Sequence, residues 1–514
     1  MPTPDPKGFF PFVGSEQKPE KFMTTALEAT NRSTETTAKR KESDREMKNV
    51  EHKEFCPQSS RPRLFRIATD SLRKRERKST KVVLASIPAT GHFNPLLVVA
   101  GILKKAGHEP VVYTSKLFRD KTEAAGIPFL PLPEEADQAV LDKISDFFKR
   151  NRYAPGPEER LSIFKTVFVD PMPFQFHGLQ AVLREFPADL VVHETGFCGV
   201  FPLLVGPRSQ RPASAYLGIS ALSLPREDGA PWGPGLIPTK DPAKWKEYAK
   251  IAQEINEQKE LPLKQYADRV LADLARPGLP GRLFESSALL ADIILQPCGP
   301  SFEFPLREPA PKVHFIGPLV PEGSGEVPLA LEEAKKAGRK VVLVSQGTIA
   351  NNDLGKLLAP VIQALGDRED FIVLVTTGGK AIEEIPCPIP SNTVASKFLN
   401  FSAILPCVEV LVAYASYGTV TQALSFGVPV VVAGKGEDKP EVAARVTWTG
   451  CGIDLEADNP TPEQVRDAVD RILAQPAYRA RAGELAREFA RYDTAREVTT
   501  LLEALAAEPA ARAA

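Results

Sequence analysis

The chain has 514 residues, 43% hydrophobic and 25% charged, the proportions of a soluble globular protein, and its length suits two to four domains of about 150 residues. Lysine plus arginine number 64 against 65 for aspartate plus glutamate, and the net charge of −1 gives no overall electrostatic reason to expect nucleic acid or an anionic membrane as partner. That balance averages unlike segments, since residues 1–80 hold 18 basic and 12 acidic side chains and the remainder 46 and 53.

Residues 24–54 are rich in Thr, Ser, Glu and Lys and too poor in apolar side chains to offset the entropy of ordering, so residues 1–79 are expected to form a disordered tail. Within it, Arg73-Lys74-Arg75-Glu76-Arg77-Lys78 reads as a solvated charge run in preference to a nuclear address or an anion-binding patch. The start, Met-Pro-Thr-Pro-Asp-Pro, lacks the charged-then-apolar order of a signal peptide, and no apolar run reaches the roughly 18 residues of a membrane span. A cytoplasmic protein without an integral membrane segment is the expectation. The scattered cysteines (Cys56, Cys198, Cys298, Cys387, Cys407, Cys451) form no CxxC pair and have no histidines at ligand spacing, which suggests reduced thiols and neither disulfides nor a metal site.

Regular structure begins at Lys81, where Val82-Val83-Leu84-Ala85-Ser86 is a continuous apolar run of the kind buried on both faces of a parallel sheet. The turn Ala89-Thr90-Gly91-His92 follows, then an amphipathic helix from Pro95 to Lys105 ended by Gly107, then a strand from Glu109 to Thr114. Strands recur at Asp189-Leu190-Val191-Val192 and from Ala213 to Leu217, which predicts a parallel sheet wound on both sides. Residues 223–240, where prolines and glycines surround Trp232, predict a long irregular loop of the kind that usually carries function, and a helical region from Lys244 to about Leu274 follows.

The pattern restarts after Pro321-Glu322-Gly323-Ser324-Gly325. Lys340-Val341-Val342-Leu343-Val344-Ser345 runs into Gln346-Gly347-Thr348, with further strands at Phe371 to Thr376, Val408 to Ala413 and Val428 to Ala433. Thr461-Pro462-Glu463-Gln464 opens a capped helix, and C-terminal helices continue to about Ala506. The expected division is a tail over 1–79, a first α/β domain over 80–320, a linker over 321–327, a second α/β domain over 328–495, and a C-terminal helix and tail over 496–514. Two doubly wound halves of similar size place a binding cleft between them.

The turn Tyr414-Ala415-Ser416-Tyr417-Gly418-Thr419 joins a buried strand to a helix, and backbone N–H groups at such a helix N-terminus make an anion site suited to a diphosphate. The stretch from Gly418 to Gly434 is followed by Glu437-Asp438-Lys439-Pro440-Glu441-Val442-Ala443-Ala444-Arg445-Val446 and Gly450-Cys451-Gly452-Ile453. Together with Gly91-His92-Phe93-Asn94-Pro95, Pro231-Trp232-Gly233-Pro234-Gly235-Leu236, Val313-His314-Phe315-Ile316-Gly317-Pro318-Leu319 and Gln346-Gly347-Thr348, it closely resembles the family 1 glycosyltransferases (UDP-glycosyltransferase and macrolide glycosyltransferase-like), most of all their secondary-metabolite branch. The resemblance extends over residues 80–500 and implies the α/β GT-B fold, two Rossmann-like doubly wound domains facing across a cleft, with the acceptor bound mainly by the first and a nucleotide sugar by the second.

The resemblance implies an inverting hexosyltransferase that takes a UDP- or TDP-sugar as co-substrate, needs no cofactor or metal, and acts on a hydroxyl of a small lipophilic secondary metabolite. His92 matches the family's base, and a histidine with an ordinary pKa of about 6.5 suits removal of an alcohol proton at neutral pH. Glu194 matches the carboxylate that orients it, where aspartate is commoner, with His193 a competing partner. The matching donor positions are Gly347, Thr348, Phe398 (stacked on the base), Leu399, Tyr414, Ser416, Gly418, Thr419, Gln422, Asp438 and Lys439; the acceptor positions are Phe93 and Trp232.

Two departures stand out. Tyr414-Ala415-Ser416 occupies the place of His-Gly-Gly or Asn-Gly-Gly and puts Cβ atoms where close approach or positive φ favours glycine. Lys439, where glutamine is usual, cannot accept a hydrogen bond. Two other readings therefore stay open: a degenerate relative that binds nucleotide or metabolite without transfer, and an epimerase on the same fold.

Overall fold

The structure, a computed structural model, describes residues 79–151, 156–307, 312–321, 325–348 and 351–508. The expected disordered tail up to residue 78, the basic run, Cys56 and the linker core 322–324 lie outside the described residues.

The apolar runs pair as strands covered on both faces. In the first half β1 (Lys81–Ala85), β2 (Glu109–Thr114), β3 (Phe129–Pro131), β4 (Leu190–Glu194), β5 (Ala213–Leu217), β6 (Ile293–Gln296) and β7 (Val313–Phe315) form one parallel sheet in the order 3-2-1-4-5-6-7. In the second half β8 (Lys340–Ser345), β9 (Phe371–Thr376), β10 (Thr393–Ser396), β11 (Val410–Ala413), β12 (Val430–Val432) and β13 (Gly452–Asp454) form a parallel sheet in the order 10-9-8-11-12-13. Each sheet reverses its strand order beside its first strand. At such a switch point the loops leaving adjacent carboxyl ends part to opposite faces and open a crevice. Ala85 lies opposite His193, and Ala413 opposite Ser345, so the four loops with candidate chemistry leave the sheets as two adjacent pairs.

Helix α1 (Thr90–Lys105) starts five residues earlier than the sequence suggests, with Pro95 inside it. Proline removes only the donor that would meet the Gly91 carbonyl, and Gly91 is exposed, where solvent can serve instead. His92 therefore sits in the first helical turn rather than in a loop. Helix α2 (Val140–Arg150), a π-helical segment over Lys165–Val169 and helix α3 (Met172–Glu185) lie between β3 and β4 in the chain, and residues 223–240 remain irregular apart from a bridge between Arg226 and Leu306. Helices α4 (Pro242–Ile255) and α5 (Leu261–Asp273) follow.

In the second half, α6 (Tyr417–Ser425) follows β11, α7 (Lys439–Thr449) follows β12, and α8 (Pro476–Phe489) and α9 (Thr494–Ala507) end the described chain. The apolar stripe of α9 does not stay with that half: Val498, Leu502 and Leu505 pack in one core with Val82, Leu84, Phe93 and Leu96 of the first. The halves meet through a shared core as well, where Ala221, Cys298 and Phe302 pack with Tyr417, Val420, Val442 and Val446.

Candidate active site

At the first switch point, β1 leads into α1 and β4 ends on Glu194. The His92 Nδ1 lies 2.6 Å from the Glu194 Oε2; the carboxylate is fully buried and the imidazole keeps 20% of its surface exposed, enough to reach a substrate. Glu194 also accepts the Ile87 N–H at 3.1 Å and the Gly196 N–H at 2.6 Å, so three donors hold it ionised although burial alone would raise its pKa; the net direction is down. For His92, burial pulls the pKa down, and the charge and hydrogen bond of Glu194 outweigh it, leaving the pKa above 6.5. Because the carboxylate accepts at Nδ1, the ring proton resides there and Nε2 is left with its lone pair as a base. His193 is no competitor. On the opposite face of the strand it is completely buried, among the described residues neither ring nitrogen has a partner, and burial lowers its pKa to about 4.

Phe93 does not reach the cleft. It is wholly buried and stacked on Phe118 at 4.2 Å between centroids, so the expected acceptor contact is replaced by a core role, because the helix already runs from Thr90 and turns Phe93 to its buried face. The side chain that does stand beside the base is Phe168. A Cβ placed on Gly196 would lie 3.2 Å from both the His92 Cε1 and the Phe168 Cε1. Phe168 packs with Phe284 at 5.1 Å and Phe164 at 5.7 Å, an aromatic wall aimed by the π-helical turn. Trp232 is half-buried, with its indole N–H given to the Ala221 carbonyl at 3.2 Å, so only its ring is open to a ligand.

At the second switch point, β8 delivers Gly347 and Thr348. A Cβ on Gly378 (φ 65°) would stand 2.2 Å from the Gly347 carbonyl, so this crossing of two strand ends requires glycine. Thr348 is half-buried beside it. Phe398 is 53% exposed with its ring over Gly379, whose Cβ would come within 2.9 Å of Cζ; an exposed ring held by backbone beneath is a stacking platform for a planar base. Leu399 turns its side chain into the core. Its bridge to Glu326 uses the Phe398 carbonyl and the Asn400 N–H, so the Leu399 amide and carbonyl face the other edge and are what it offers a ligand.

Tyr414 is buried, and its hydroxyl bonds to the Asp458 carbonyl and Oδ1, both at 2.6 Å; it holds the second half together instead of presenting a donor to phosphate. Ala415 takes φ 20°, at the margin of the left-handed region, while Ser416 is ordinary extended backbone at the N-cap of α6 with its hydroxyl unused by the cap. The helix N-terminus stays accessible: Gly418 is exposed with no atom within 4 Å of a built Cβ, Thr419 is half-buried beside it, and Gln422 is buried one turn on.

Asp438 caps α7 by position, but its carboxylate makes no cap bond. Burial raises its pKa, with Lys439 opposing and Glu437 adding. Lys439 is buried, its ammonium paired with Glu437 and lying 5.7 Å from the Tyr414 ring centroid. The charges of Glu437 and Asp438 both add to the raising of the His92 pKa, after the larger contribution of Glu194.

Two Rossmann-like parallel sheets, with a carboxylate-paired histidine at one switch point and an open helix N-terminus at the other, have the architecture of the GT-B class. Residues 360–505 match the family model described as "Erythromycin biosynthesis protein CIII-like, C-terminal domain". The chain is 33% identical to UDP-glycosyltransferase 2 of Phaeomoniella chlamydospora, over 83% of this chain and 96% of that protein, and 34% identical to 4'-demethylrebeccamycin synthase of Lentzea aerocolonigenes, over 83% and 99%. Its fold is similar to the solved glycotransferase of kitacinnamycin, with a TM-score of 0.61 at 20% identity over 84% of this chain and 99% of that one. The chain belongs to the family 1 GT-B glycosyltransferases, in their secondary-metabolite branch.

Proposed function

We propose that the protein transfers a hexose, with inversion, from a UDP- or TDP-sugar to a hydroxyl of a small lipophilic metabolite in the cytoplasm. The observation that carries this reading is the His92–Glu194 pair at the switch point of one sheet together with the open N-terminus of α6 at the switch point of the other. In the reaction the acceptor hydroxyl gives its proton to the His92 Nε2 as its oxygen attacks the anomeric carbon. The bond from that carbon to the β-phosphate oxygen breaks on the opposite face, and the nucleoside diphosphate leaves with the electron pair. Glu194 stabilises the imidazolium that forms. The charge growing on the leaving group meets the N–H groups of Tyr417, Gly418 and Thr419 with the Ser416 and Thr419 hydroxyls, a preorganised anion site that calls for no resident cofactor.

Phe398 stacks on the base, the Leu399 backbone reads its edge, Gly347 and Thr348 border the diphosphate, and Gln422, Asp438 and Lys439 read ribose and sugar hydroxyls. Phe168 and the Trp232 ring form the acceptor's walls, and the Phe164–Phe168–Phe284 cluster supports a lipophilic, ring-bearing acceptor. Incubation with UDP- and TDP-sugars and a panel of hydroxylated aglycones, read by mass spectrometry and by NMR of the anomeric linkage, is expected to yield an inverted glycoside. Neither glycoside nor nucleoside diphosphate release across the panel would overturn the reading.

A further inference from the structure

The loop Pro231-Trp232-Gly233-Pro234-Gly235-Leu236 belongs to the first half, yet its backbone is held by a side chain of the second. The Gly233 and Gly235 N–H groups both donate to the Glu441 Oε1, at 2.8 and 3.0 Å. The loop lies directly on the first turn of α7, since a Cβ on Gly235 would stand 2.2 Å from the Pro440 carbonyl. Pro440 adjoins Asp438 and Lys439, so this docking sets the acceptor-side loop against the donor-side corner.

Glu441 is itself held from behind. Its Oε2 accepts the Arg445 Nη1 at 3.0 Å, and Arg445 gives Nε and Nη2 to the Glu303 Oε2 at 2.9 and 2.7 Å. Glu303, from the first half, uses its Oε1 for the Tyr417 hydroxyl at 2.9 Å and the Gln296 amide at 3.0 Å. Arg445 also lies 4.0 Å from the Phe304 ring centroid. All three charged residues are at least 96% buried, with exposures of 1% for Glu441, 1% for Arg445 and 4% for Glu303. Two carboxylates and one guanidinium leave a buried net charge of −1. Such a network is weak as a source of stability, because desolvation consumes most of the attraction and packed apolar residues do as well. What it provides is direction: a carboxylate fixed at both oxygens presents one acceptor to two converging backbone donors.

We propose that Glu441, locked by Arg445 and Glu303, is a positioning residue that seats the Trp232 loop on α7, so that the acceptor closes the site against water as the sugar is transferred. This rests on the glycosyltransferase reading for its consequence, though not for the docking itself.

The test uses the full chain. By hydrogen exchange, the Gly233 and Gly235 amides are expected to be protected in the wild type and to exchange at least about tenfold faster in Glu441→Ala. Glu441→Gln, whose amide oxygen still accepts from both glycines, recovers most of that protection. With UDP-glucose and 2-naphthol as probes, Glu441→Ala is expected to raise the KM for 2-naphthol and the ratio of UDP released to glucoside formed, each by about tenfold, with the KM for UDP-glucose unchanged. Gly235→Ala leaves the carboxylates intact and dislodges the loop from the other side; it gives the same signature, and decides the question if Glu441→Ala does not fold. Unchanged exchange in these variants overturns the proposal, as does a freed loop with the wild-type ratio of hydrolysis to transfer. If the wild type glycosylates no acceptor, the functional reading fails, and exchange still decides the docking.

Discussion

Between β1 and β4 the candidate site is built from side chains: His92 and Glu194 meet at 2.6 Å, and a carboxylate with no exposure is held by two backbone N–H groups and the imidazole. At the ends of β8 and β11 the candidate site is built from backbone: a glycine crossing at Gly347 and Gly378, a positive φ at Ala415 and the open end of α6. The topology is the same at both places. A side-chain site depends on the identity of one or two residues, whereas a backbone site depends on whether the chain can follow a path. This is why the unusual Tyr414-Ala415-Ser416 leaves the helix end accessible. Tyr414 directs its hydroxyl to Asp458, Ala415 adopts a φ of only 20°, and Gly418 keeps the approach clear.

If that contrast is right, His92→Ala has the largest effect, a fall in kcat/KM of about 10³- to 10⁴-fold. UDP affinity by calorimetry stays within about twofold, since removing a side chain on one sheet leaves the backbone site on the other. Turnover near the wild-type rate would remove His92 from the role of base. Next is Glu194→Gln, expected to cost about 10²-fold and to move the pH profile. The base must be neutral, and Glu194 holds the His92 pKa above 6.5, so wild-type kcat/KM climbs through a limb above that pH; in the variant the limb moves toward acid. A folded-state pKa above the unfolded value contributes stability that is full below 6.5 and lost as pH rises through the folded pKa. The Tm gap between wild type and His92→Ala should therefore narrow on going alkaline.

Phe398→Ala sharpens the comparison from the donor side. Loss of a stacking face is expected to weaken UDP binding by about 1–2 kcal/mol, roughly tenfold, with kcat at saturating donor little changed. Smallest in activity is Tyr414→Phe. It removes the bond to Asp458 and lowers stability by about 1 kcal/mol in denaturant unfolding, with kcat/KM within about twofold. A loss of UDP affinity as large as that of Phe398→Ala would mean that the hydroxyl serves the donor, and would break the contrast.

Much of the site was legible because its signals are local. His92 follows the apolar strand β1 and Glu194 is the last residue of β4, and residues at strand ends in a doubly wound sheet lie at the crevice whatever else the fold does. Phe398 was singled out by the resemblance alone, since the strand before it, β10, is short and polar and was not read from the sequence. The errors concern direction. Phe93 belongs to the same turn as His92, but once α1 is seen to start at Thr90 the two side chains point to different faces, one to the cleft and one to Phe118. Leu399 alternates inward from Phe398 for the equivalent reason in extended chain. Phe168 carried no signal at all, because Phe164 and Phe168 at a spacing of four look like a buried helix stripe, and only the π-helical turn re-aims the second ring.

Glu441 and Arg445 show the limit most clearly. At i and i+4 on a helix they read as an ordinary surface ion pair, of little consequence in solvent. Their burial and their third member, Glu303, come from a segment 142 residues away, which no local pattern joins to them. By itself the sequence determined two parallel α/β halves and the strand ends that open toward a crevice, because hydrophobic period and turn composition act over a few residues, while the candidate base and donor residues were singled out by the family motifs they match. Only the tertiary structure decided which side chains face the cleft, that α9 returns to the first sheet, and that a buried carboxylate joins the acceptor loop to the donor helix, because those outcomes depend on contacts between segments that are neighbours in space alone.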